Sequence, residues 1–320
     1  MGQARRYLPP QRGFSFFYGI GNNGIDYYTH ERYGIPSMFA GNERTQKDKG
    51  MYATDLFERE ALNFLSSVKE KEPWFLYLCF NAPHSASSFG PDPTDKKNRP
   101  GVQCPEEYAN LYKDEVREDK LRRYFGSVTR MDEAIGKVMD AIEQRGETKD
   151  TLIFFMSDNG GSGNGGNAPL RGSKGTMWEG GLRVPLIARW PAKLPAGKVT
   201  DEFLTALEFW PTIAAATGAS ALNKDHRDGF DMLPVLRGDQ PSPRKTMFWQ
   251  RRAEKAARVG HWKWLESERG EGLFDLSKDL SEATDLSTSQ PEKLAELRAA
   301  WKSWRAEMDA TEPRGPFRDY

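Results

Sequence analysis

The residues from Met156 to Pro191, MSDNGGSGNGGNAPLRGSKGTMWEGGLRVPLIARWP, constrain this chain more than any other stretch. An apolar run, Thr151 to Met156, leads straight into Ser157-Asp158-Asn159, and six glycines lie between Asn159 and Lys174. An apolar strand that ends in an acid and an amide holds two hard oxygen donors side by side, which suits a divalent cation such as Ca²⁺. Glycine lets backbone approach a ligand closely, and Lys174 adds a positive charge at the far side of the loop. The pattern describes a metal-centred anion site. Asp-Asn-Gly-Gly alone is also an ordinary turn, because Asn and Gly tolerate positive φ, so the surrounding run has to carry the reading.

Apolar periodicity supplies the framework. Tyr52 to Lys69 places Leu56, Ala61, Leu65 and Val68 at helical spacing, Pro73 comes after it, and Phe75 to Phe80 (FLYLCF) reads as a strand. Glu115 to Arg145 is the longest helical pattern, with Gly146 as its stop, and the strand Thr151 to Met156 comes next. Beyond the glycine loop lie a strand at Val184 to Ala188 and an apolar helix around Leu204 to Ala216. Strands alternating with helices predict an α/β fold, a mostly parallel sheet sandwiched by helices. A composition shift near Leu236 to Asp239 divides a domain at 1–238 from a C-terminal subdomain at 239–320. The latter has antiparallel strand candidates (TMFWQ, HWKWLE) and a terminal amphipathic helix, Glu292 to Arg305, with Trp301 and Trp304 on its packing stripe. The polar stretch Ser88 to Pro100 reads as a surface loop.

Composition removes several function classes. Lys+Arg and Asp+Glu balance at 46 each without a basic run, which gives no support to nucleic-acid or membrane-surface binding by net charge. Mean hydropathy is −0.73. No apolar stretch approaches the roughly 20 residues that span a bilayer, and MGQARRYLPPQRGF lacks the apolar segment of a signal peptide. Two cysteines make no disulfide framework, although one bridge between them stays open. Cys79, inside FLYLCF, reads as a buried thiol.

Taken whole, the run from Ser157 to Pro191 resembles the second half of the sulfatase catalytic domain, in the alkaline-phosphatase-like superfamily. Gly13 to His30 (GFSFFYGIGNNGIDYYTH) is similar to the family's segment after its Lys-Trp-His-Leu-Gly motif, and Pro73 to His84 (PWFLYLCFNAPH) to its strand-to-histidine element. Arg130 to Gly146 is similar to the helix before the metal-binding strand, and HWKWLES with LFDLSKDLSEATDL to the C-terminal subdomain. The resemblance implies that Asp158 and Asn159 are metal ligands, that Lys174 contacts the sulfate group, and that His84 hydrogen-bonds the sulfate or ester oxygen. It implies Ca²⁺ as the metal. Arg171 is a weaker substrate contact, with a backbone brace as the alternative role. Asp26, Tyr28 and His30 are a polar-aromatic cluster that either lines a substrate subsite or packs. His226 and His261 lie outside the motifs.

The same resemblance marks what these 320 residues do not contain. The family's Asp-Asp pair completes the metal site, and its Cys/Ser-x-Pro-x-Arg motif supplies the residue oxidised to the catalytic formylglycine. Neither is found here, and Cys104, in Gln-Cys-Pro-Glu-Glu, does not match. The expectation is therefore a sulfatase-type chain incomplete at its N-terminus, inactive alone, and prone to self-association through exposed sheet edges. The implied reaction is hydrolysis of an aryl or carbohydrate sulfate, in a periplasmic, secreted or otherwise extracytoplasmic setting. Two other readings stay open: a non-catalytic binder of sulfated glycans, and a phosphoryl- or phosphonate-ester hydrolase of the same superfamily.

Overall fold

The computed structural model describes residues 4–89, 100–219 and 228–311. Most of the polar stretch Ser88 to Pro100, and His226, lie outside the described residues. The chain divides into two compact units, 1–149 and 150–320. The division expected at 238/239 falls inside the second.

In the first unit, β1 (Tyr18–Ile20) pairs antiparallel with β4 (Met38–Ala40), which pairs with β5 (Glu43–Arg44), while β2 (Glu31–Arg32) and β3 (Ile35–Pro36) form a separate hairpin. The helix expected after Tyr52 is α1 (Ala53–Ser67), which buries Leu56, Phe57, Ala61 and Leu65. The core beneath it gathers Ile25, Tyr27, Met38, Tyr52, Leu56 and Phe57, with Tyr27 and Tyr52 stacked at 5.4 Å. A short α2 (Glu106–Asn110) crosses the long α3 (Asp119–Gln144) at Gly126, where a β-carbon would stand 2.7 Å from the Tyr108 carbonyl carbon. Charge ties α1 to α3: buried Arg130 meets Glu58 at 2.6 Å and Asp55 at 2.7 Å, and Lys137 reaches Glu58 at 2.9 Å. Arg130 and Glu58 are buried while Asp55 is partly exposed, and removing one partner of such a cluster would leave a buried charge uncompensated. Gly146, at φ 70°, ends the helical region as its sequence suggests.

The expected strand FLYLCF enters no strand pair among the described residues. Its side chains still alternate. Leu78 and Phe80 pack on the core, while Phe75 and Tyr77 are 53% and 66% exposed. Cys79 falls on the outer face and is exposed, which corrects the buried placement expected for it, and it forms no disulfide with Cys104. The Cys104 thiol is buried and pushed up to about 11 by that burial.

The second unit opens with β6 (Ile153–Met156), then the glycine loop, a four-residue α4 (Glu179–Leu182) and β7 (Leu186–Arg189). β6 and β7 pair antiparallel, with Met156 opposite Leu186. Every strand pair among the described residues is antiparallel, so the mostly parallel sheet expected from the sequence is not found there. The physical reason is local: α4 is too short to act as a crossover, and the loop doubles the chain back beside the strand it left. A turn at Ala206–Glu208, closed by a Thr205 and Glu208 capping box, leads into α5 (Phe209–Ala216). α6 (Leu233–Arg237) stops at Gly238, at φ 90°.

The C-terminal strands are antiparallel as expected. β8 (Thr246–Arg251), β9 (Glu254–Val259), β10 (Trp262–Ser267) and β11 (Gly270–Asp275) form a meander in the order β11-β10-β9-β8. Strand alternation gives this sheet two faces. Ala257, Trp264 and Leu273 face α7 (Pro291–Ala310), packing against Leu297 and Trp301, with Trp304 beside them. Ala256, Leu265 and Phe274 face the other way and cover Met177 and Trp178, which end the glycine loop. The sheet therefore backs the loop directly.

Candidate functional site

The loop between β6 and α4 is held by backbone contact that only glycine allows. Gly160 donates its N–H to the Gly181 carbonyl at 3.3 Å, and Gly180 donates to the Arg171 carbonyl at 2.7 Å. A β-carbon on Gly160 would lie 1.7 Å from the Gly180 oxygen, and one on Gly180 would lie 2.6 Å from the carbonyl oxygens of Arg171 and Gly172. These glycines let the two ends of the loop touch. Gly160→Ala is expected to destabilise the second unit by about 3 kcal/mol. Urea unfolding monitored by tryptophan fluorescence reads this, since of the 9 tryptophans only Trp74 lies in the first unit.

Asn167 is the crosspiece, and sequence reasoning passed over it. Its amide oxygen accepts from Gly161 N–H at 2.7 Å, and its amide nitrogen donates to the carbonyls of Gly161 at 2.9 Å and Gly172 at 3.1 Å. The only signal was an amide amid glycines, which is indistinguishable from a turn residue without the fold.

Asp158, Asn159, Arg171 and Lys174 all stand on this loop. Asn159 donates its side-chain N–H to Asp158 Oδ1 at 2.6 Å, and Ser157 Oγ donates to the Asn159 carbonyl at 2.8 Å. Lys174 is fixed by its backbone N–H, which donates to the Gly161 carbonyl at 3.1 Å. Its ammonium is exposed and forms no ion pair with a described residue. Arg171 differs: its guanidinium lies 3.8 Å over the Trp178 ring and donates to the Glu282 carbonyl at 3.0 Å. Stacking and a backbone acceptor occupy it within the protein.

His84 belongs to the first unit. The Asn81-Ala82-Pro83-His84 turn closes through His84 N–H to the Asn81 carbonyl at 2.9 Å, and the buried Tyr27 hydroxyl donates to the His84 carbonyl at 2.8 Å. The ring is exposed, with Nδ1 2.7 Å from the Ser85 carbonyl. A carbonyl only accepts, so Nδ1 carries the hydrogen and Nε2 is the nitrogen left for a ligand.

The weaker candidates are knit into the core of the first unit. Asp26 accepts from the backbone N–H groups of Tyr28 at 3.0 Å and Thr29 at 2.9 Å and from Gln103 Nε2 at 2.8 Å. Burial pushes its carboxyl up, but these donors outweigh it and hold the acid below the usual range. His30 is buried with Nε2 2.9 Å from the Met51 carbonyl, and burial lowers its pKa. Tyr28 packs on the same core. His261 is exposed, 3.8 Å from Asp275.

The donor set at Asp158 and Asn159 does not by itself make a calcium site. Ca²⁺ takes six to eight oxygens, and among the described residues no group of three or more His, Cys, Asp or Glu could hold a metal. Titration calorimetry of this chain with CaCl₂ is expected to show no saturable binding tighter than about 1 mM. No helix among the described residues is long and apolar enough to cross a membrane.

Comparison with known proteins converges on one family. A family model described as Sulfatase matches residues 3–219. Mouse arylsulfatase J is 28% identical over 292 residues, covering 82% of this chain and 46% of that protein. Human arylsulfatase A is 30% identical over 364 residues, covering 99% of this chain and 68% of that protein. The crystal structure of Ps i-CgsB superposes with a TM-score of 0.84 at 29% identity, covering 98% of this chain and 71% of that one. The chain spans less than half the length of mouse arylsulfatase J and of the Escherichia coli sulfatase YdeN, 46% and 41% respectively. With a family match over well more than half of its residues, the chain belongs to the sulfatase family.

Proposed function

We propose that this chain forms part of the binding site of a sulfate-ester hydrolase, with Lys174 as its principal anion contact. The observation that carries the reading is the exposed Lys174 ammonium, which has no ion-pair partner among the described residues and stands on a loop fixed by Gly161 and Asn167. A sulfate monoester carries a single negative charge, and one unshared cation matches it. Arg171, the other cation of the loop, is occupied by Trp178 and the Glu282 carbonyl. Lys174 offsets charge on the sulfuryl oxygens as it builds. The role read for His84 is donation from Nε2 to an ester or leaving-group oxygen, which takes a ring protonated at both nitrogens because its Nδ1–H is held by the Ser85 carbonyl. Asp158 and Asn159 would contribute oxygen donors to a larger Ca²⁺ set.

In this reading the nucleophile would be a formylglycine, which would supply a hydroxyl for attack on sulfur. The Cys/Ser-x-Pro-x-Arg motif that yields it is not among these 320 residues. We therefore expect the isolated chain to leave 4-nitrophenyl sulfate at background, and expect turnover once a segment bearing that motif and the Asp-Asp pair is joined to it and matured. Turnover by the isolated chain would contradict the assignment of the nucleophile.

The substrate class is a sulfated small molecule or glycan. One solved structure similar to this chain is a complex of Ps i-CgsB with k-i-k-neocarrahexaose, at a TM-score of 0.82 and 29% identity. That likeness favours a carbohydrate sulfate. A second reading is a non-catalytic binder of sulfated glycans, which the exposed Lys174 on its fixed loop would serve equally. Saturable binding of a sulfated oligosaccharide by the isolated chain, with no turnover after completion, would select it.

A further inference from the structure

Lys263 sits in the middle of β10 and is fully buried, an uncommon place for an ammonium. It lies on the face of the sheet that covers the glycine loop, next but one to Leu265. Its Nζ is 2.9 Å from Glu179 Oε1 and 2.8 Å from Glu282 Oε1, and both carboxylates are buried. A lysine is desolvated at this cost only if its partners are fixed, and here all three groups are.

Each partner is tied to the loop. Glu179 is the first residue of α4, and its own backbone N–H donates to Glu282 Oε2 at 2.6 Å, so Glu282 caps a helix that has no cap from its neighbouring side chains. Glu282 adopts a φ of 52°, and its carbonyl accepts from Arg171 at 3.0 Å. Arg171 then stacks on Trp178. One residue of the C-terminal segment thus grips both ends of the loop's second half, 171 and 179. From α4 the path to the site is short: Gly181 accepts from Gly160, next to Asn159, and Gly180 donates to Arg171, three residues before Lys174. Burial pushes the Glu282 carboxyl up, whereas at Glu179 the nearby Lys263 outweighs burial and keeps it low.

We propose that Lys263, with Glu179 and Glu282, is the positioning device of the glycine loop, so that the C-terminal sheet fixes where Lys174 and the Asp158–Asn159 pair stand. Arg171 belongs to this device rather than to the substrate. The device depends on the reading of Lys174 as the anion contact only for its catalytic consequence; its mechanical part stands apart from that reading.

Hydrogen exchange measured by mass spectrometry on the 320-residue chain tests the mechanical part. Lys263→Met keeps the length of the side chain and removes its charge, and Glu282→Gln keeps the shape and an acceptor for the Glu179 N–H. In both variants the amides of Gly160, Lys174 and Gly180 are expected to exchange at least about tenfold faster, while β8 to β11 keep their protection. Unchanged loop exchange would overturn the proposal. So would an equal rise in loop and sheet, since that marks Lys263 as a general core residue. Should Lys263→Met fail to fold, Glu282→Gln decides by the same criterion. In a completed, active protein the two variants are expected to raise KM for a sulfate ester more than they lower kcat. Absence of turnover in the unsubstituted completed protein would count against the sulfatase reading and leave the exchange result to stand or fall by itself.

Discussion

Lys174→Ala is expected to lower kcat/KM for an aryl sulfate by about 10²–10³-fold in the protein completed with a matured formylglycine segment. The size reflects the task of the residue. Charge builds on the sulfuryl oxygens in the transition state, and a pre-placed ammonium meets it without reorganising. The loop keeps its shape in this variant, because Lys174 is held by its backbone N–H and its ammonium pairs with no acid among the described residues. Steady-state kinetics paired with a thermal melt check both halves. A large kinetic loss at an unchanged melting temperature fits the assignment, and a loss below about threefold would remove Lys174 from the reaction.

The isolated chain is expected to self-associate. In the first unit the segment at 73–81 enters no strand pair among the described residues and shows Phe75 and Tyr77 to solvent. In the second unit β7 leaves Ile187 61% exposed beside the 38% exposed Phe155. A strand edge next to exposed apolar side chains is a template for strand addition by a second copy. Light scattering after gel filtration should show mass rising with concentration above the 36.3 kDa of one chain. Tyr77→Lys together with Ile187→Lys should reverse most of that rise, because charge on an edge face opposes pairing. A single 36.3 kDa species across the range would contradict the expectation.

Much of the local structure was legible. The apolar spacing in Tyr52 to Lys69, Glu115 to Arg145 and Glu292 to Arg305 gives α1, α3 and α7 to within a few residues, and Trp301 and Trp304 pack as their stripe implies. Period-based reading works for these because one face of each helix is buried and the other is wet. It fails where partners are distant. Lys263 lies between two tryptophans in a strand, and nothing nearby reveals that Glu179, 84 residues away, neutralises it. Glu282 looks like one acid of a polar turn, yet it caps α4 from 103 residues off. Strand and helix alternation suggests parallel pairing, which is not found among the described residues, where β6 and β7 are joined by a loop that folds back on itself.

The site divides in the same way. The motif run identified Asp158, Asn159 and Lys174 as neighbours on one loop, and the structure puts them there. Arg171 could have gone either way from sequence, and only Trp178 and the Glu282 carbonyl show that it is engaged within the protein. Asn167 had no legible role at all before its three backbone contacts were seen.

Anion recognition tuned to a sulfate monoester is tested most directly by a paired assay of the completed protein with 4-nitrophenyl sulfate and 4-nitrophenyl phosphate at one pH. A single unshared ammonium on the loop predicts a higher kcat/KM for the monoanionic sulfate, with the preference lost in Lys174→Ala. Faster turnover of the phosphate, or a sulfate preference that survives Lys174→Ala, would contradict it.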